Sequence, residues 1–107
     1  AQIDAVTAIS GSGPAYVYYL AECMAAAGEA LGLAPALAMQ LARATVSGAG
    51  EMLEQMPDDA STLRKNVTSP GGTTAAALDV LMGEGGMSPL LRRAAAAARD
   101  RARALGQ

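Results

Sequence analysis

An all-α domain is the fold class this sequence predicts, and three observations predict it. Alanine, the residue with the strongest intrinsic helix preference, supplies 26 of the 107 residues, while Phe and Trp are absent. Proline and glycine cut the chain into about five pieces of helical length. No pattern of strand, crossover and strand appears anywhere. A length of 107 residues is that of one domain. Its core would be thin, because burial stabilises by about 25 cal/mol per Å² and alanine offers little area. Such a domain needs a further surface, its own copy or another domain, to be comfortably stable.

The elements follow in order. Residues 1–10 form a lead-in for which no definite structure is predicted. The first long helix opens at Ser12-Gly13-Pro14, with Pro near the first position, and stops at Gly32. It is apolar on nearly every face, with only Glu22 and Glu29 charged, and a helix of that kind is buried. The second runs from Pro35 to Met56 and ends at Pro57. Its Leu37, Leu41 and Ala44 share a face, and Ser47, Gly48 and Gly50 leave room for close backbone contact. A short third helix covers roughly 60–66, with Asp58, Asp59 and Ser61 as candidate caps. The fourth begins after Thr68-Ser69-Pro70-Gly71-Gly72-Thr73-Thr74, as AAALDVLM, and ends at Gly83 and Gly85-Gly86. The last takes Ser88 as N-cap and Pro89 at its first position, and gathers Arg99, Arg101 and Arg103 where the dipole is negative.

Composition excludes several classes. A net charge of −2 and a pI near 4.9 speak against electrostatic binding of nucleic acid. No run approaches the 18 apolar residues of a membrane span, and no secretory signal pattern is visible. A single Cys excludes an internal disulfide and fits a reducing, cytoplasmic compartment. The absence of His removes the usual zinc sites and imidazole-based triads. The acidic residues are scattered, so no metal site is predicted.

One segment concentrates hydroxyls and glycines. In TSPGGTT the first amides of the following helix lack intrahelical partners, and the positive dipole end adds to them. That is a ready site for a small carboxylate or phosphate. Gly71 and Gly72 let a ligand reach the backbone, and Ser69, Thr73 and Thr74 add hydroxyl donors. The other reading is an ordinary helix cap, built from the same residue types. The segment Gly11-Ser12-Gly13-Pro14-Ala15-Tyr16 superficially matches a dinucleotide fingerprint and is rejected, because Tyr16 stands at its last position and no strand context surrounds it. Tyr16, Tyr18 and Tyr19 read as core or interface residues, the six Met as gap-fillers and Cys23 as an inert small hydrophobe. Arg92, Arg99 and Arg103 share a stripe that is either an anion-binding face or a solvated one.

Asp4-Ala5-Val6-Thr7-Ala8-Ile9-Ser10-Gly11-Ser12-Gly13-Pro14-Ala15-Tyr16, Leu63-Arg64 and Val67-Thr68-Ser69-Pro70-Gly71-Gly72-Thr73-Thr74, in that order and spacing, resemble the C-terminal domain of pyrroline-5-carboxylate reductase. The resemblance extends over essentially the whole chain. It implies long apolar helices interlocking in a homodimer, a fold similar to the C-terminal domain of 6-phosphogluconate dehydrogenase-like reductases, and in many members a ring of dimers. It implies reduction of 1-pyrroline-5-carboxylate to L-proline by NADPH or NADH, held mainly by an N-terminal Rossmann domain outside this chain, so that residues 1–107 alone would not catalyse. It places the substrate carboxylate at Ser69, Gly72 and Thr73, with Gly71 beside them, the ring nitrogen at the Thr74 hydroxyl, and the nicotinamide near Asn66 and Val67. The sequence departs from the family where Asp59-Ala60 replaces a common His-Pro, where Lys65 replaces an acidic residue and where Met87 replaces a bulkier one. Two rivals remain at this stage: a non-catalytic helical oligomerisation module, and a related imine or β-hydroxyacid reductase domain.

Overall fold

Helix boundaries fall largely where proline and glycine place them. A computed structural model describes residues 2–106 as α1 (Gln2–Val6), a π-helical turn (Thr7–Gly11), α2 (Gly13–Ala30), α3 (Pro35–Gln55), α4 (Ala60–Asn66), α5 (Thr73–Leu81) and α6 (Met87–Leu105). No strand occurs among the described residues. The chain divides into two compact units, residues 12–57 and residues 2–11 with 58–106.

The first unit is the hairpin of α2 and α3. Gly32 stops α2 in the left-handed region, at φ 101°. The Gly32 amide donates to the Glu29 carbonyl at 2.9 Å and the Leu33 amide to the Gly28 carbonyl at 3.1 Å, the bonding of a Schellman motif. Pro35 then opens α3 from an extended Ala34, and Met56, itself extended, closes it before Pro57. The two helices meet through small residues. Ala25, Ala38 and Ala42 are buried together, with the half-buried Met39 against them. A Cβ at Gly28 would lie 3.2 Å from the Ala38 Cβ, so the helices approach closely here. The approach expected at Gly48 and Gly50 is not made among the described residues, for a Cβ at either would meet nothing within 4 Å. Leu37 and Leu41 point away from the hairpin seam and are about half exposed. Backbones this close admit alanine between them and exclude leucine.

In the second unit α1 and the π turn lie against α6, and Ala8 is buried at that contact. The lead-in is therefore helical. The Thr7 hydroxyl donates to the Ile3 carbonyl at 3.0 Å at the residue where the α-helix gives way to the wider turn. A hydroxyl that takes the i−4 carbonyl is a known local cause of such bending. Asp59 occupies the N-cap of α4, but through its backbone: its carbonyl accepts from the Leu63 amide at 3.0 Å and its side chain makes no cap bond. α6 begins one residue before the expected Ser88 cap. Gly86 is the N-cap, its carbonyl accepts from the Leu90 amide at 3.3 Å, and Ser88 and Pro89 fall inside the first turn, where a proline costs no hydrogen bond. α5 likewise starts at Thr73, two residues before the expected AAALDVLM segment.

The apolar residues buried within the described chain are four alanines, Ala8, Ala25, Ala38 and Ala42. Large side chains such as Ile3, Tyr18, Tyr19, Leu31, Leu53 and Val80 are more than half exposed. No helix among the described residues is long and apolar enough to cross a membrane.

Candidate functional site

The loop between α4 and α5 belongs to the second unit and is built in two parts. The first closes α4. The Val67 amide donates to the Arg64 carbonyl at 3.3 Å, the Thr68 amide to the Lys65 carbonyl at 3.1 Å, and the Thr68 hydroxyl to the Arg64 carbonyl at 2.6 Å. The second is a tight turn over Ser69-Pro70-Gly71-Gly72, closed by the Gly72 amide on the Ser69 carbonyl at 3.0 Å. Proline in its second position and glycine at φ 71° in its third are the residue choices of a type II turn. A Cβ at Gly72 would press on the Ser69 carbonyl at 3.2 Å, so the turn folds close on itself there. At Gly71 a Cβ would meet nothing within 4 Å, and that side of the turn is open.

Gly72 is the N-cap of α5 and is extended. Its carbonyl accepts from the Ala76 amide at 3.2 Å. The amides of Thr73, Thr74 and Ala75 carry no hydrogen bond within the described residues, and no side chain caps them. These donors stand at the positive end of the helix dipole. No described residue occupies them. Ser69 and Thr73 are exposed and Thr74 is half-buried beside them. The structure thus brings Ser69, Gly71, Gly72, Thr73 and Thr74 into one short segment around the open amides. Asn66 and Val67 lie exposed at the end of α4, on the other side of Thr68.

From Asn66 to Leu78 no side chain is ionisable. Chemistry at this loop is therefore hydrogen bonding and placement, not proton transfer by a carboxylate or an amine. None of Ser69 to Thr74 lines either of two surface grooves. One, of about 680 Å³ in the same unit, runs past Ile9, Arg64, Leu78, Leu81, Met87 and Leu91. The other, of about 760 Å³, lies along the α2–α3 hairpin at Tyr18, Glu22, Met39 and Arg43.

Elsewhere the residues singled out from sequence take other roles. Gly11 ends the π turn and Gly13 opens α2, with no strand before them among the described residues, so the rejected dinucleotide motif is a helix-to-helix joint. Cys23 is exposed on the hairpin rather than packed inside it. Its hydrogen bond with Tyr19 is the main cause that raises the Tyr19 phenol above its ordinary 10.0, followed by the charge of the Cys23 sulfur. Arg99 pairs with its neighbour Asp100 at 2.9 Å, which partly neutralises the basic stripe it shares with Arg92 and Arg103. No group of three His, Cys, Asp or Glu side chains among the described residues could hold a metal ion.

Residues 1–105 match the family described as pyrroline-5-carboxylate reductase dimerisation. Among curated proteins, a pyrroline-5-carboxylate reductase of Corynebacterium melassecola is 46% identical over 105 residues, covering 98% of this chain and 38% of the relative. One from Pseudomonas aeruginosa is 44% identical over 107 residues, covering 100% of this chain and 39% of the relative. Among solved structures, a pyrroline carboxylate reductase of Plasmodium falciparum with NADP bound superposes with a TM-score of 0.90 at 36% identity, covering 98% of this chain and 40% of that one. A pyrroline-5-carboxylate reductase of Coxiella burnetii gives 0.91 at 42% identity, covering 97% and 38%. The chain spans about two fifths of the length of these relatives.

Proposed function

We infer the function of this chain from the family to which it belongs, that of the pyrroline-5-carboxylate reductase dimerisation domain. We propose that it is the dimerising, substrate-holding part of an enzyme that reduces 1-pyrroline-5-carboxylate to L-proline, the closing reaction of proline biosynthesis. The observation that carries the reading is the start of α5, where three unpaired amides stand between hydroxyl side chains. A carboxylate is the guest that this donor set suits, since amides at a helix N-terminus and neutral hydroxyls give hydrogen bonds without a counter-charge.

Ser69, Gly72 and Thr73, with Gly71 leaving the approach open, hold the carboxylate in this reading. Thr74 presents its hydroxyl to the ring nitrogen. The anchored carboxylate then fixes which face and which carbon of the ring is offered. Orientation of this kind converts an encounter into a near-attack arrangement and is the main rate contribution available to a loop without ionisable groups.

NADPH or NADH supplies the hydride. Asn66 and Val67 suit the nicotinamide end, being exposed and uncharged beside the loop. In this reading the rest of the cofactor is held by a Rossmann domain, as the family resemblance implies. That arrangement also accounts for a loop which lines neither surface groove: its remaining walls come from other parts of the enzyme.

The exposed large side chains of α2 and α3, set beside an alanine-only seam, support a homodimer in which these helices interlock. A ring of such dimers follows the family resemblance. The reading places the enzyme in the cytoplasm, in keeping with an exposed free thiol at Cys23.

The decisive assay is reduction of 1-pyrroline-5-carboxylate by the full-length enzyme carrying this domain, with NADPH and NADH in separate arms. Proline formation with either supports the reading. A folded enzyme that binds the nicotinamide cofactor and leaves the imine untouched overturns it and favours a scaffold without catalysis.

A further inference from the structure

We propose that Thr68 is a positioning residue: its hydroxyl pins the carboxylate-holding turn to α4 and so fixes that turn relative to the cofactor-facing residues Asn66 and Val67. The inference rests on the reading of the loop as a carboxylate site. Three observations carry it. The Thr68 hydroxyl donates to the Arg64 carbonyl at 2.6 Å, a short and well-formed bond to the last turn of α4. Among the described residues it is the only side-chain hydrogen bond that joins residues 67–72 to either flanking helix. Past Thr68 the turn Ser69–Gly72 is closed on itself by the Gly72 amide and makes no backbone bond back to α4.

The loop therefore consists of two internally fixed pieces with a single joint between them. Asn66 and Val67 sit on the α4 piece. Ser69 and the open amides of Thr73, Thr74 and Ala75 sit on the α5 piece. The dihedral angles at Thr68 decide how one piece is aimed at the other. The backbone bonds of Val67 and Thr68 end α4, but they hold the amide side of residue 68 alone. The hydroxyl adds a second point of attachment and restrains rotation about the Thr68 N–Cα bond, one of the few rotations left between the two pieces. Thr68 is half-buried, and its side chain is already committed to this bond, so it is not itself a substrate ligand.

Two consequences separate this role from plain structural support. The amides of α5 are arranged by their own helix and keep their grip on a carboxylate when the joint loosens. What suffers is the alignment of the ring with the hydride donor, where a misplacement of about 1 Å can cost roughly a hundredfold in rate. Loss of the hydroxyl should then act on kcat more than on the substrate KM.

The test compares Thr68→Val, which keeps the shape, and Thr68→Ser, which keeps the hydroxyl, in the full-length enzyme. Amide hydrogen exchange is followed across residues 66–74 and in α2 and α3, beside steady-state kinetics. For Thr68→Val the expected result is exchange about fivefold faster in 66–74 only, kcat lower by about tenfold and substrate KM within about twofold, scaled to loss of one loop anchor. Thr68→Ser should restore both. Wild-type kcat and exchange in Thr68→Val overturns the inference. So does a loss shared by α2 and α3 that Thr68→Ser fails to rescue. A wild-type enzyme without imine reduction overturns instead the reading on which it rests.

Discussion

Replacing Thr74 by valine isolates one hydroxyl at the start of α5. The substitution keeps the volume of the side chain and its branching, and the two residues differ little in helix preference. Thr74 is the second residue of its helix and its hydroxyl has no partner among the described residues. No internal hydrogen bond is lost, so unfolding stability should change by less than about 0.5 kcal/mol. The reaction should change far more. A hydrogen bond to a group that is charged in the transition state is worth about 1.5–3 kcal/mol. At 1.36 kcal/mol for each factor of ten, this is a fall in kcat/KM of roughly tenfold to a hundredfold. Steady-state kinetics on the full-length enzyme reads the fall, and a thermal melt checks that the fold is intact. Thr73→Val is the companion, since its exposed hydroxyl faces the carboxylate in the same reading and its loss should raise KM rather than lower kcat. Wild-type kcat/KM in Thr74→Val, or a loss accounted for wholly by a lower Tm, would refute the reasoning.

Other outcomes follow from geometry already described. Gly71→Ala forces an L-residue to φ 71° with open space around its Cβ, so the cost is backbone strain alone, about 1–2 kcal/mol, and a thermal melt should show it. Ala38→Leu drives three further carbons into the seam at Ala25 and Gly28, and urea unfolding should report a loss of about 1–3 kcal/mol. The Tyr19 phenol, raised by its hydrogen bond with Cys23, should ionise above the ordinary tyrosine value in an ultraviolet titration, and Cys23→Ala should bring it back toward 10.0. Because the folded value is the higher one, the associated stability is present below the ordinary tyrosine range and is lost as pH rises through the Tyr19 value.

Sequence made the long elements legible because their limits are local. Gly32, Pro35 and Pro57 act through their own backbone geometry, and α2 and α3 end where they stand. The geometry of the α4–α5 loop was legible for the same reason: open amides and a Pro-Gly turn are properties of a short stretch. The lead-in was not, since α1 and the π turn draw their order from α6, far away in the chain. The orientation of α3 was also hidden. A hydrophobic count favours Leu37 and Leu41 on the inside, whereas the approach at Gly28 admits Ala38 and Ala42 instead. Caps were misplaced by one or two residues where a backbone carbonyl, as at Gly86, did what a Ser88 side chain was expected to do. Thr68 carried a readable sign, a hydroxyl four residues after a carbonyl at a helix end, but the bond needs the exact course of the chain after Val67.

The stretch from Asn66 to Leu78 gains and loses no proton across the physiological range, because every polar atom in it is an amide, a carbonyl or an alcohol. In the proposed reading, any acid or alkaline limb in the rate comes from the substrate itself or from groups beyond the loop. The donor set itself stays constant with pH, so a loop of this kind leaves any acid–base sensitivity of binding to the guest it holds and to the protein groups around it.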